Sequence, residues 1–289
     1  MSLSDIHLHF VQFSLNKVVN KQTHPESYDI DCIHYIVNFV IDFVQNAVDD
    51  FIDNHQHLCS LKHLHPRRLR YRTSVNVHRN TLDFEKLLIE IRKKAGNHIC
   101  FLCVGSEVTT PPFFERNIVV IHLPDLNGLH YKEVLSTSSH NELISLGLGV
   151  GEALHEIGHM FGAFHSTCGI MSRQQNAVGL FGITSAEIEM ESHNCFFDNY
   201  SICLFAHSLF FNRGVTSRQP SSLLFRISDG QVHLKCSTGI LLVVIIQGTK
   251  YHDLKVYDAL LSVSIRIDEQ LWDLMQVYSG SYQVENIIK

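Results

Sequence analysis

Residues 155 to 165 read His-Glu-Ile-Gly-His-Met-Phe-Gly-Ala-Phe-His. This H-E-x-x-H-x-x-G-x-x-H run constrains the fold more than any other stretch, because its residues meet only if a helix stops and the chain doubles back. His155 and His159 are four residues apart, so a helix carries them on one face, one turn apart. Two imidazoles so placed can bind one zinc ion. Glu156 adjoins the first of them and can reach a water on the metal without being a ligand. Gly162 can leave right-handed helical space at no steric cost, which ends the helix. His165, three residues past that break, can then swing round as a third ligand. Three protein ligands with a fourth position open is the pattern of catalytic rather than structural zinc.

The flanking residues predict the helix. Val150, Leu154, Ile157 and Phe161 recur at helical spacing and form an apolar face away from the histidines. Glu152 reads as an acidic residue near the helix start, where the macrodipole favours it. Gly158 weakens the helix by about 1 kcal/mol relative to alanine, and the expected compensation is close packing behind the metal. The chain has 20 histidines, so chance H-x-x-x-H pairs are expected; His122, His130 and His140 lie nearby without a matching pattern. The fixed offsets of Gly162 and His165 make the run specific.

Cys168-Gly169-Ile170-Met171-Ser172 follows directly. A methionine in a tight turn after the third histidine is the second mark of the metzincins. Taken together, His155, Glu156, His159, Gly162, His165 and Met171 resemble that clan of zinc metallopeptidases. The run from His165 to Arg173 is most similar to a eukaryotic group of zinc metallopeptidases that carry a β-rich region after the catalytic part. The resemblance is carried by residues 148 to 173. It implies one catalytic Zn2+ held by His155, His159 and His165, with Met171 as an apolar floor beneath it. Arg173 stands where some metzincins place a tyrosine, so no tyrosine switch is expected.

The implied function is zinc-dependent endopeptidase hydrolysis of a peptide or protein substrate, by a zinc-activated water with Glu156 as general base. Substrate is expected to lie extended along an edge strand, with residues 118 to 123 one candidate for it and residues 173 to 181 as a pocket wall. Two other readings stand beside this one. One is a catalytically inactive zinc-bearing scaffold whose C-terminal β region binds protein or carbohydrate; the intact Glu156 speaks against it. The other is a structural zinc site closed by Cys168.

The wider chain is consistent with an enzyme. At 289 residues, 45% hydrophobic and 18% charged, it can bury a large core and is globular rather than disordered. A net charge of -6 argues against nucleic acid as the main partner. Arg67, Arg68, Arg70 and Arg72 read as a solvated loop and strand start. No apolar stretch is long and uninterrupted enough to span a membrane, and residues 1 to 20 lack a secretory pattern. The eight cysteines are therefore expected to be reduced, in a cytoplasmic or other intracellular protein. Cys100 and Cys103 are spaced C-x-x-C but read as part of a buried strand.

Hydrophobic periodicity predicts a helix over 32–53, capped by Asp29 or Asp31, and a strand over 71–77. A second helix follows from a Thr81 cap to about Ala95, then strands at 98–104 and 117–123, with loops at Pro111-Pro112 and Pro124-Asp125. The expected fold is α/β (α+β): a metzincin-like catalytic domain over 1–214, its active-site helix under a mixed sheet. The upper subdomain would span about 1–161 and the lower about 162–214. Within the lower part, 173–181 reads as loop and a helix is expected from Thr184 or Ser185 to about Tyr200. Residues 215–289 are expected to form a small all-β accessory region. Its strands fall at 223–227, 231–236, 240–247, 254–256 and 262–267, with turns at Asp229-Gly230, Gly239 and Gly248 and Trp272 as a core anchor.

Overall fold

The computed structural model describes residues 6–13, 27–56, 61, 68–81, 83–95, 100–104, 112–115, 117–136, 140–172, 195–208, 210–211, 221–280 and 284–289. In the first sheet, β1 (Ile6–Phe13) buries Ile6, Leu8 and Phe10 on one face. No strand is predicted there, because His7 and His9 interrupt the apolar signal. Both histidines instead line a cavity beneath helix α2 (Phe84–Ala95). The other strands are β2 (Tyr71–Thr81), β3 (Cys100–Val104), β4 (Phe113–Glu115) and β5 (Ile118–His122). Their order is β2-β1-β3-β5-β4. All pairs are parallel except β4, which runs antiparallel to β5.

Helices cover both faces, as a largely parallel sheet requires. On one face lie α1 (Ser27–Asn54) and α4 (His140–Met160), with the short α3 (Tyr131–Ser136) between them in sequence. Ile33, Ile36, Val37, Val40, Val44, Val48 and Phe51 of α1 pack with Leu146, Val150, Leu154 and Ile157 of α4 against Phe101, Cys103, Val119 and Ile121 of the sheet. On the other face, Leu88 and Ile91 of α2 meet Cys100, Leu102, Ile118 and Val120. Cys100 and Cys103 therefore point to opposite sides of β3, as an odd offset in a strand demands, and cannot act as a pair.

Several boundaries differ from expectation. Helix α1 starts at Ser27 rather than Cys32. Thr81 ends β2, and Asp83 caps α2 instead, its Oδ1 accepting from Lys86 N–H at 3.0 Å. Because α4 begins at His140, Glu152 lies in mid-helix and not near the start. Most of the helix expected over 184–200, the loop over 173–181 and Arg67 lie outside the described residues. Residues 195–198 are not helical. The helix there, α5, runs Asn199–His207, with Asp198 as its cap accepting from Ser201 N–H at 2.7 Å.

A second, antiparallel curled sheet is built from β6 (Leu223–Ser228), β7 (Gln231–Gln247), β8 (Lys250–Arg266), β9 (Leu274–Ser279) and β10 (Val284–Ile288). The segments expected as separate strands at 231–236 and 240–247 are one strand of 17 residues. Gly239, at φ 85°, falls within a register shift and acts as a bulge rather than a turn. Strand β7 has two apolar faces. Leu242, Val244 and Ile246 join the cluster that holds α4. Val243 and Ile245 pack on the other side with Met275 and Trp272. The C-terminal strands thus share a core with the helix that carries the H-E-x-x-H run. No helix among the described residues is long and apolar enough to cross a membrane.

Candidate metal centre and active site

Helix α4 ends in a glycine-dependent stop. Gly162 takes φ 103°. Around it Ala163 N–H donates to Gly158 O and Gly162 N–H to His159 O, both at 3.0 Å. These two bonds are the Schellman pair that satisfies the last carbonyls of a helix. The emerging chain is then caught by the turn between β7 and β8. Phe164 N–H donates to the Tyr251 hydroxyl at 2.8 Å, and His165 N–H to Thr249 O at 3.1 Å.

This path brings three imidazoles together. His159 Nε2 lies 3.1 Å from His155 Nε2 and 3.2 Å from His165 Nε2. His155 Nδ1 donates to Ile170 O and His159 Nδ1 to Ala163 O, each at 2.8 Å. A carbonyl can only accept, so in both rings the proton is on Nδ1 and Nε2 carries a lone pair. Lone pairs that converge at this spacing repel unless a cation lies between them. A tetrahedral ion with metal–nitrogen bonds of about 2.0–2.1 Å sets its ligand nitrogens about 3.3 Å apart, so the residues present fit a metal. Burial pushes both rings toward the neutral form that binds one: it holds His159 at about 4, helped by His155 and His165, and lowers His155 as well. Among the described residues the group that could hold a metal ion is His155, His159 and His165; Cys168 is exposed and not part of it.

Glu156 is only 6% exposed. Burial, and then the neighbouring Glu152, raise its carboxyl to about 7. Glu152 lies one turn earlier on α4, where His122 holds it through its backbone N–H at 3.3 Å and Nδ1 at 3.5 Å. Behind the helix, Met171 is fully buried. Its Sδ would lie 2.5 Å from a Cβ added at Gly158, which is the close approach that a glycine there permits. The Met171 turn also presents the Ile170 carbonyl that orients His155.

The edge strand beside this site is β4, not residues 118–123. Strand β5 is flanked on both sides, by β3 and β4. From β4, Phe114 stacks on His159, with ring centroids 5.0 Å apart and planes at 24°. Phe114, Thr249, Tyr251 and Tyr278 are site residues that the motif could not reveal. They come from other elements; Tyr251 is 87 residues from the Phe164 it bonds.

No protein-family model matches the chain, and no curated protein matches it. Solved structures do share its fold. Wild-type OgpA from Akkermansia muciniphila superposes with a TM-score of 0.54 at 8% identity, over 99% of this chain and 93% of that one. A catalytically inactive form of OgpA, in complex with an O-glycopeptide (glycodrosocin) substrate, gives 0.50 at 10% identity over 99% and 93%. The ZmpB metallopeptidase from Clostridium perfringens matches more remotely, at 0.22 and 14% identity over 53% and 28%. Nearly the whole chain, including the C-terminal sheet, thus adopts the fold of OgpA.

Proposed function

We propose that this chain is a zinc-dependent endopeptidase of metzincin type. The observation that carries the reading is the convergence of His155, His159 and His165 through Nε2, with the carboxyl of Glu156 next along the helix. When bound, zinc supplies Lewis acidity, which acidifies a water and polarises the scissile carbonyl. The protein supplies the rest. Ile170 O and Ala163 O fix the ring orientations of His155 and His159 and keep their Nδ1 protonated. Glu156 takes a proton from the attacking water on its carboxylate and returns it to the leaving amine nitrogen. Substrate backbone pairs along the outer edge of β4, by strand addition. We further propose the division into a catalytic part over 1–214 and a β-rich part over 215–289. Neighbours of the same fold act on peptide-type substrates, as the O-glycopeptide complex of OgpA illustrates.

Glu156→Gln tests the assignment. The variant should bind zinc as wild type does and lose hydrolysis of a peptide library by about 100-fold or more. Cleavage at the wild-type rate would remove Glu156 from the mechanism. A variant that also lost zinc would point to a ligand or a structural role instead.

A further inference from the structure

We propose that the cavity between α2 and the first sheet is a binding site for a small, uncharged, hydroxyl-bearing molecule, held through Nε2 of His9. No residue of the metal centre lines it, and it does not depend on the peptidase reading. The alternation of β1 places the site. Ile6, Leu8 and Phe10 join the core that holds α1, so His7 and His9 point to the opposite face, under α2. Register sets Asn76 of β2 beside His9, and Cys100 of β3 beside His7. Above them, Leu87, Glu90, Ile91 and Lys94 of α2 roof a space of about 250 Å³.

His9 is the group that calls for a ligand. It is only 8% exposed, and among the described residues nothing hydrogen-bonds its Nε2. Its Nδ1 faces His78 Nε2 at 2.9 Å, with the ring planes at 9° and the centroids 5.2 Å apart. The centroids are farther apart than these nitrogens by a ring's own width, so the rings lie end to end and share one proton. Burial lowers both rings, His9 to about 4, so the pair is neutral near pH 7. Passing the shared proton to His78, which then gives up its Nδ1 proton, turns His9 Nε2 from acceptor to donor without charging the pair. A hydroxyl both donates and accepts, so it suits either state. A buried nitrogen left unpaired is destabilising, and a ligand at Nε2 relieves it.

The rest of the lining favours an uncharged ligand. Ile91 is buried and apolar, and burial pushes Cys100 up to about 11, which keeps it a thiol. Glu90 and Lys94 are exposed at the rim and offset each other. An ion entering past them would leave water without a net counter-charge. Leu87 and Ile91 give an apolar body its contact surface. A metal ion fits less well, since among the described residues only the His155 group converges as ligands must.

The test is an NMR titration of the zinc-loaded protein that reads the Leu87 and Ile91 methyls and the His9 ring nitrogens. The probes share a ring and differ in the polar group: p-cresol, toluene, benzoate and benzylamine. p-Cresol should shift all three signals and bind about tenfold or more tighter than each of the others. No shift with any probe, leaving water as the only occupant, would overturn the proposal. A ranking led by toluene, benzoate or benzylamine would overturn it too. His9→Leu should erase the preference for p-cresol over toluene, and an undiminished preference would remove His9 as the anchor. Leu87→Trp, at a half-buried position, keeps the test open should that variant fail to fold. It should fill the cavity and abolish the Ile91 shift with zinc content unchanged; an Ile91 shift that survives would place the ligand elsewhere. A second zinc ion per chain, lost in His9→Leu, would make the cavity a metal site and equally defeat the reading.

Discussion

Replacing Gly158 by alanine should destabilise the protein, against the helix-propensity rule. An alanine Cβ at this position would lie 2.5 Å from Met171 Sδ, 3.4 Å from Met171 Cε and 3.1 Å from Phe197 Cε1. Favourable contact begins near about 3.5–4 Å, so the first overlap is about 1 Å deep. A methionine tip usually yields easily, but Met171 is 0% exposed and Phe197 3%. Overpacking of a buried site costs about 1–3 kcal/mol, and the depth of this overlap favours the upper half. Helix propensity returns about 1 kcal/mol. The net loss is about 1–2 kcal/mol, or a Tm lower by about 2–3 °C for a chain of this size. Metal affinity should fall too, because the displaced turn carries the Ile170 carbonyl that orients His155. Calorimetric unfolding with and without metal reads both effects. The decisive comparison is with Met171→Ala, in which the deepest overlap is removed and Phe197 has room to shift. There Gly158→Ala should change sign and stabilise by up to about 1 kcal/mol. A higher Tm for Gly158→Ala in the wild-type background, or the same shift in both backgrounds, would refute the packing reason for this glycine.

Tyr251→Phe removes the acceptor of the Phe164 N–H. An unsatisfied amide costs about 1 kcal/mol or more, so metal affinity should drop about 5- to 10-fold in a chelator competition; an unchanged value would mean the tether does not support His165. Chelation should lower the Tm of the wild-type protein, and zinc at about 100 times its Kd should restore about 2.7 kcal/mol, whereas His159→Ala should respond to neither. Acid should destabilise the fold through the buried His9. Burial, then His78 and His7, hold His9 at about 4, against 6.5 in its ordinary state. Between those values the unfolded chain binds a proton that the folded one does not, so stability falls as pH drops from 6.5 toward 4. His9→Asn should flatten that part of a denaturation-midpoint curve, and an unaltered slope would assign it to other groups.

Much of the first sheet and its helices was legible because their patterns are local. Helix α1 shows its apolar face from Ile33 to Phe51, and β3 and β5 are short apolar runs. What escaped had a physical disguise. In β1 the two histidines weaken the alternation, although His9 is buried under α2. At only three residues, β4 is too short to show a period. In β7, Gly239 looks like a turn because glycine permits positive φ, and that freedom is used for a bulge that leaves the strand continuous. Thr81 lost the cap of α2 to Asp83 for lack of any local signal that β2 would run on to it.

The candidate site divides along the same line. His155, Glu156 and His159 could be placed on one helix face from spacing alone, since 3.6 residues per turn fixes their directions. Gly162 marks where the helix must stop, but spacing cannot say where the chain goes next. That is decided by Thr249 and Tyr251, which catch residues 164 and 165 after the chain has crossed β6 and β7. The third histidine is thus aimed by a turn over 80 residues later in sequence. The same turn, with β9 and β10, walls the cavity that His159 and His165 line. A region predicted as an accessory thus touches the candidate site twice, through the path of the chain that carries His165 and through the wall of the cavity beside it. Variation in the β7–β8 turn should therefore move metal affinity and substrate preference together, whereas variation at the far end of the sheet, near Leu224 and Leu261, should move neither.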